Sequence, residues 1–341
     1  MSRQPDLIAI LGDGISARCC TRLLERSGIK VGVDTRQRSG NPAVMLSGAT
    51  LNLLNDCLGE RLPTGQYHPI TRRIVAWGDN DAVSVKHSGI AFGAHQLSNL
   101  LPQPVSDIRA GTAADFLVFA AAPFPESSHQ SFGKRIGSAA EAVLLCKEES
   151  NACWIESLDS GWIFLIPTGY GQGWLLGVGD ELDTLLSRSR YLQRRVVVAE
   201  PARAIFETAP RMLSRLSGPN WLACGTDAIA FDPICGDGTG QAAREAVLAA
   251  AVIQALTDRD CSETSRDKIL EHYHSLLLAA MRRHLRLCVQ FYTSGGCTPW
   301  WRQQVLDLIK GFEWCSAQLE KLPEPKYGLH NFRLIRRSTA A

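Results

Sequence analysis

Three things are missing from this chain: a long apolar run, an excess of charge of either sign, and any paired spacing of its cysteines. No segment approaches the ~20 apolar residues that a helix needs to cross a bilayer, so no membrane span is expected. Lys and Arg number 36 against 34 Asp and Glu, a net charge of +2. No basic excess calls for nucleic acid, and no acidic tail is present. The eleven cysteines contain no CxxC pair, and in sequence the eight histidines do not group with them as zinc ligands would. No metal site is expected. The adjacent Cys19 and Cys20 fall in a predicted helix, with side chains about 100° apart. The expectation is a reduced, cytoplasmic protein whose cysteines act as small core hydrophobes. Met1 to Asp6 lead straight into a short strand without the features of a signal peptide. There is no internal repeat and no low-complexity tract.

What is present reads as a globular chain of roughly two domains, given 341 residues with 45% apolar and 21% charged composition. Leu7 to Leu11 form a continuous apolar run of the kind found in buried parallel strands. Gly12-Asp13-Gly14-Ile15-Ser16-Ala17 follows, then a helical pattern to Arg26, a stop at Gly28 and a second strand from Lys30 to Asp34. This is a βαβ unit with a glycine turn at its first corner. Gly12 permits the turn, Gly14 lets a pyrophosphate approach the backbone, and Ala17 keeps the helix close to the strand. The helix N-terminus offers free N–H groups to the phosphates. Asp34 stands 22 residues after Gly12, where an acid for ribose hydroxyls is expected. Only one such fingerprint occurs, so a separate NAD(P)H domain is not expected.

A second glycine-rich loop lies ~210 residues further on. Asn220 to Gly225 read as a buried strand, followed by Thr226-Asp227-Ala228-Ile229-Ala230-Phe231-Asp232-Pro233-Ile234-Cys235-Gly236-Asp237-Gly238-Thr239-Gly240 and then an Ala-rich helix from Gln241 to Leu256. This stretch resembles the "GDAA…DP…G.G…A" signature of FAD-dependent aromatic hydroxylases and flavin-dependent halogenases. The resemblance implies that Asp227 bonds a ribityl hydroxyl. It implies that Pro233, Gly236, Gly238, Thr239 and Gly240 line the isoalloxazine, and that the following helix points its N-terminus at the ring's pyrimidine edge.

Other segments resemble the halogenase-like branch. Gly161-Trp162-Ile163-Phe164-Leu165-Ile166-Pro167 is similar to its "GWxWxIP" strand, with Phe164 in place of the second Trp. Ala76-Trp77-Gly78, Ser88 to Phe92 and Thr298-Pro299-Trp300-Trp301-Arg302 resemble segments of flavoproteins that mature tryptophylquinone cofactors. Two departures stand out. Where these proteins often carry Arg, this chain has Ala94-His95-Gln96, and Gln96 is the expected substitute contact. The "DA(S/T)G" turn after the third strand is replaced by Ala120-Ala121-Ala122-Pro123. Lys86 is the nearest candidate for the lysine a halogenase needs. It sits in an alternating strand, where a solvated side chain is the simpler reading.

The expected fold class is α/β: a Rossmann-like FAD-binding domain with an inserted antiparallel-sheet substrate domain and a C-terminal helical segment. Residues 1–55, 89–123 and 214–258 are allotted to the first, 56–88 and 124–213 to the second, and 259–341 to the third. In the last, Arg282, Arg283, His284 and Arg286 read as a basic helix face, solvated or turned toward a partner, and Trp300 and Trp301 either as exposed contact points or as residues that pack the helical segment onto the sheet. The resemblance implies monooxygenation of an electron-rich aromatic ring through a C4a-hydroperoxyflavin, at a site between the Gly236–Gly240 loop and the strand carrying Trp162 and Phe164. The implied electron source is NAD(P)H or a separate flavin reductase. The substrate implied extends to a Trp side chain of a protein or peptide. Halogenation and a catalytically weak flavin-binding role are the alternatives. No side chain stands out as a general base; His68, His87 and His95 read as structural.

Overall fold

A computed structural model describes residues 7–35, 43–102, 114–125, 128–146, 149–258 and 261–337. The N-terminal Met1–Asp6 segment lies outside them. The first βαβ unit forms as its pattern predicts: β1 (Ile8–Leu11), α1 (Ile15–Arg26) and β2 (Val31–Asp34). β1 is also parallel to β6 (Phe116–Phe119), which is parallel in turn to β15 (Trp221–Ala223). The short β14 (Ser217–Gly218) adds antiparallel to β15. The resulting five-stranded sheet has the order β14-β15-β6-β1-β2. Its central strands β1, β6 and β15 are continuous apolar runs because both faces are covered. α1 packs on α5 (Gly238–Leu256), whose alanines let the two helices approach closely and whose side chains are almost all buried.

An eight-stranded sheet takes the order β12-β8-β11-β10-β9-β4-β5-β3. Its members are β3 (Ala43–Ser47), β4 (His68–Ala76), β5 (Val83–Gly93), β8 (Ile136–Leu144), β9 (Ala152–Leu158), β10 (Gly161–Gly169), β11 (Gln172–Gly179) and β12 (Val196–Glu207). It is antiparallel except where β4 runs parallel to β9, a pairing that the hairpin spacing of the sequence does not announce. β3 and residues 89–93 of β5 belong to this sheet, a different allotment from the one expected. Their antiparallel pairing, Ala43 with Gly93 through Ser47 with Gly89, puts them there. β10 is buried on both faces, and its alternation divides the core. Trp162 and Phe164 face the main core, while Ile163 and Leu165 face a smaller one closed by α4 (Leu182–Arg188).

Two helices join α2 (Gly48–Leu58) and α3 (Ala94–Leu100) to complete the fold: α6 (Glu263–Gly295), of 33 residues, and α7 (Pro299–Leu319). His284 lies on the buried side of α6, not on a solvated face. Arg282, Arg283 and Arg286 remain exposed. Trp301 is fully buried, its Nε1 donating to the Leu158 carbonyl at 2.8 Å and its ring pressed against Gly295 and Gly296. Trp300 is half-buried against Gly179. Of the two readings of this pair the packing one holds: it fixes α7 to the larger sheet. A small sheet of β7 (His129–Ser131), β13 (Arg211–Leu213) and β16 (Ile229–Ala230), and a hairpin of β17 (Tyr327–His330) and β18 (Arg333–Arg336), finish the chain. All eleven cysteines are free. No described helix is long and apolar enough to cross a membrane.

Candidate functional site

The carboxyl ends of the parallel strands gather the predicted turns. Gly12 leaves β1 at φ +135°, which a side chain resists, and a Cβ there would press on Ala120 and Ala121 at 3.2–3.3 Å. Gly14 is the N-cap of α1, with no side-chain cap and no acid in the first turn. The first-turn N–H groups thus stand open to an anion. Ala17 is buried behind them. Asp34 pairs with Leu11 in the sheet register, and its carbonyl accepts from the Gly12 N–H at 2.9 Å, so the acid and the glycine turn share one edge.

The second loop reaches the same edge. Gly225 follows β15, and its N–H donates to Glu245 Oε2 at 2.7 Å, while Gln241 Nε2 donates to Oε1 at 2.9 Å. Ser16 of α1 donates to the Ala242 carbonyl at 3.1 Å, so α1, α5 and the Gly225 turn meet. Burial pushes the Glu245 carboxyl up to about 8, against these two bonds and the charge of Arg244.

From Asp227 onward the loop walls a cavity of about 680 Å³. Asp227, Pro233, Gly236, Gly238 and Thr239 line it on one side and Phe164, Ile166, Trp174 and Leu176 on the other, with Val44 and Met45 of β3 and Arg283, His284 and Leu287 of α6. Gly240 sits immediately behind the wall. A Cβ there would collide with Asp237 Oδ1 and stand 2.8 Å from Thr50 Oγ1, whereas one on Gly238 would meet nothing within 4 Å. The N-terminus of α5 has no side-chain cap and no acid in its first turn. A wider depression of about 740 Å³ lies at the other end of α1, around Ser27–Lys30, and holds none of the candidate residues.

Trp162, Lys86 and Gln96 lie outside the cavity lining, as do the residues of the first glycine turn. Trp162 is wholly buried, and its Nε1 donates to Tyr292 Oη at 3.2 Å. Lys86 is exposed on β5, in register with Arg72. Gln96 caps its own helix, its Oε1 accepting from the Gly93 N–H at 2.9 Å. His68 bonds the Ser150 carbonyl at 2.6 Å, burial lowers His87, and the side chain of His95 lies outside the description.

Behind the wall is a polar network that sequence reading missed. Asp232 forms a buried ion pair with Arg135, accepts from Tyr292 Oη at 2.9 Å and accepts from the Ile234 N–H at 3.0 Å. Arg135 also donates to Gln304 Oε1 at 3.2 Å and lies 4.6 Å over the Tyr292 ring. Burial is the largest single influence and would lower the Arg135 pKa, but Asp232 together with Tyr292, Cys288 and Asp307 turns the net direction up. This ties the Pro233 loop to β8, α6 and α7. Cysteine and histidine also come together here, against the reading of the bare sequence. Cys235 approaches His284 and Cys288, which are four residues apart and so share one face of α6. The i, i+4 spacing was the available signal; the partner from the loop was not legible.

The arrangement is a parallel sheet with a glycine turn and uncapped helix at its carboxyl edge, a second glycine loop beside it, and a cavity against an antiparallel sheet. It is the fold of flavin-dependent halogenases and aromatic monooxygenases. No family model and no curated relative matches the chain. Among solved structures it is similar to the peptidyl tryptophan dihydroxylase QhpG, essential for tryptophylquinone cofactor biogenesis, at 18% identity and a TM-score of 0.66 over 89% of this chain and 79% of that one. It is similar to the flavin-dependent halogenase CmlS at 16% identity and a TM-score of 0.72, over 94% and 72% of the two chains. It is also similar to pqsL, a probable FAD-dependent monooxygenase from Pseudomonas aeruginosa, at 14% identity and a TM-score of 0.62, over 89% and 99%.

Proposed function

We propose that this chain is an FAD-dependent monooxygenase that hydroxylates an electron-rich aromatic ring. The observation that carries the reading is the meeting of two glycine turns and two uncapped helix N-termini at one sheet edge, with a cavity where the second turn faces the larger sheet. The residues fit the cofactor. Gly12, Gly14 and the first turn of α1 would hold the pyrophosphate, Ala17 keeping that helix close, and Asp34 the adenosine ribose. Asp227 would take a ribityl hydroxyl; Pro233, Gly236, Gly238 and Thr239 would face the isoalloxazine, with Gly240 allowing the turn behind them. On this reading residues 1–55, 89–123 and 214–258 carry the cofactor, although β3 and part of β5 serve the larger sheet.

When bound and reduced, by NAD(P)H or through a separate reductase, FAD supplies oxygen transfer from O2. The chain's own residues do the rest. The α5 N-terminus, with no side-chain cap, would stabilise negative charge that develops on the bound cofactor. Phe164, Ile166, Trp174, Leu176 and Met45 give the opposite wall an apolar surface that excludes water. The Asp232 network fixes the loop between them. Lys86 stands exposed and outside the cavity lining, which supports oxygenation over halogen transfer.

The substrate class we favour is a Trp side chain carried by a protein or peptide. In support, the fold is shared with QhpG, and Arg283 and the 43% exposed Leu287 line the cavity, so its mouth opens at the surface along α6. The test is purification with FAD, followed by reduction in air with Trp-bearing polypeptides and mass analysis of the product. An added oxygen on a Trp residue supports the reading. Loss of the cofactor that FAD cannot restore would favour the weak accessory role, and bromination in the presence of bromide would favour the halogenase.

A further inference from the structure

We propose that Cys235 and Cys288 form a peroxide-reactive dithiol in the cavity wall, with Cys235 the attacking sulfur, Cys288 the resolving sulfur and His284 the group that holds them ready. Cys235 is partly buried and lines the cavity from the loop between Pro233 and Gly236. Cys288 is fully buried one helical turn beyond His284 on α6. Cys235 Sγ lies 3.6 Å from His284 Nδ1, Cys288 Sγ lies 3.3 Å from Nε2, and the ligand-type atoms of the three residues all lie within 4.8 Å of one another.

The same three residues could suggest a soft metal ion, but the imidazole is set for another task. The Asp232 N–H donates to His284 Nε2 at 2.8 Å, which leaves the proton of the neutral ring on Nδ1, the nitrogen beside Cys235. A metal between the sulfurs and Nδ1 would displace that proton, and the far nitrogen would then face an N–H donor where metal-bound histidines present an N–H to an acceptor. The ring cannot easily rotate, because it stacks on Phe231 at 4.1 Å with planes 12° apart. The cluster is therefore built to give a hydrogen bond to sulfur. Hydrogen bonding from Cys288 holds the Cys235 thiol down to about 5, burial opposing and His284 assisting, while the same pairing pushes Cys288 up. A cavity-facing sulfur in its thiolate form, with a protonated partner thiol behind it, is the arrangement that peroxide attacks.

The chemistry balances with hydrogen peroxide as the oxidant. Cys235 sulfur attacks one peroxide oxygen, the O–O bond breaks, and hydroxide leaves and is protonated to water, giving a sulfenic acid. Cys288 sulfur then attacks Cys235 sulfur, losing its proton as the S–S bond forms and the sulfenic oxygen leaves as a second water. Two thiols lose two electrons and one peroxide becomes two waters. The sulfurs must close to the ~2.05 Å of a disulfide. The approach must come from the short 3-10 turn of Pro233–Cys235 pivoting on its Asp232 anchor, since Cys288 is held within a 33-residue helix. The product would tether the cavity's loop to α6.

The experiment treats the purified, cofactor-loaded protein with added hydrogen peroxide, blocks remaining thiols by alkylation and maps the peptides. This requires no turnover, so its outcome is separable from that of the proposed activity. The expected result is a linked peptide joining Cys235 to Cys288 that forms before the other nine cysteines react. Cys288→Ser should accumulate a Cys235 sulfenic acid that a dimedone probe labels, and His284→Gln should slow alkylation of Cys235 at neutral pH by tenfold or more. Cys235 remaining reduced while other cysteines oxidise would overturn the proposal. So would one zinc per chain in the purified protein that Cys235→Ser removes, which would make the cluster a metal site.

Discussion

Single residues decide how the cavity wall is held. Arg135 and Asp232 have side chains 1% and 0% exposed, so neither charge has water to fall back on. Asp232→Ala leaves a buried guanidinium without its counter-charge, and the expected loss of stability is about 3–5 kcal/mol by urea unfolding. Removing both charges with Asp232→Ala and Arg135→Met should recover part of that loss, because the penalty comes from the orphaned charge rather than from the pair. Glu245 gives a second residue-scale expectation, this time in pH. Burial raises its folded value from an ordinary 4.5 to about 8. Between those limits the folded chain retains a proton that the unfolded chain releases, so stability must fall as pH rises. It is fully present below about 4.5 and lost by about 8. Glu245→Gln should flatten this part of the stability–pH curve, at a constant cost of about 1–3 kcal/mol because one amide N–H then faces the Gly225 or Gln241 donor. An unchanged slope in the variant would mean that another group carries the pH dependence.

At the scale of elements, the start of α5 separates two demands on glycine. Gly238→Ala adds a methyl group where nothing lies within 4 Å. It should fold with an unchanged melting temperature and bind FAD more weakly. Gly240→Ala forces Asp237 away from Thr50 Oγ1, 2.7 Å distant, and from Arg244. It should cost about 1–3 kcal/mol in stability. Equal effects of the two on folding would show that the Gly238 side of the turn is not open. Gly14→Val at the other turn should abolish FAD binding while leaving the βαβ unit folded, as thermal melts and cofactor titration would report. These turns were legible in the sequence because strand, glycines and helix are contiguous, so local pattern alone places them. What the sequence hid joins distant segments. Arg135 meets Asp232 across 97 positions, Cys235 meets His284 across 49, and Glu245 meets Gly225 across a turn of helix and loop. Periodicity says that such a side chain faces inward and does not say which partner it meets. Trp301 stands between two readings in the sequence for the same reason: a Trp-Trp-Arg run fits an exposed anchor or a packing device, and only the room that Gly295 and Gly296 make for its ring decides for packing. Gln96 was assigned outward to a ligand when the nearest unpaired donor was the N–H of its own helix cap.

The whole molecule bears on the size of the substrate. Oxygen transfer requires water to be kept from the reduced cofactor after it meets O2, and the protein must supply the closure unless the substrate does. The inner wall is suited to this, with Phe164 on a strand buried on both faces, Leu176 on the strand paired with it and Met45 beside them. The outer rim is not. Arg244, Arg283 and Leu287 line the cavity and are exposed, and α7, held by Trp301 on the Leu158 carbonyl, contributes nothing to the lining. On the proposed function, an exposed rim of Arg244, Arg283, Leu287 and Glu207 over an apolar floor suits a polypeptide, since Arg anchors are favoured at protein interfaces. A polypeptide presenting a Trp would insert the indole and seal the rim with its own surface, whereas free tryptophan would leave the rim wet. The measurable consequence is coupling, the ratio of hydroxylated product to hydrogen peroxide released per reduced flavin. Coupling should be low with free tryptophan and rise severalfold with a Trp-bearing polypeptide. Arg283→Ala should lower coupling with the polypeptide and leave it unchanged with the free amino acid, because only the larger substrate reaches that side chain. Full coupling on free tryptophan, with no gain from any polypeptide and no selective effect of Arg283→Ala, would assign the cavity to a small-molecule substrate instead.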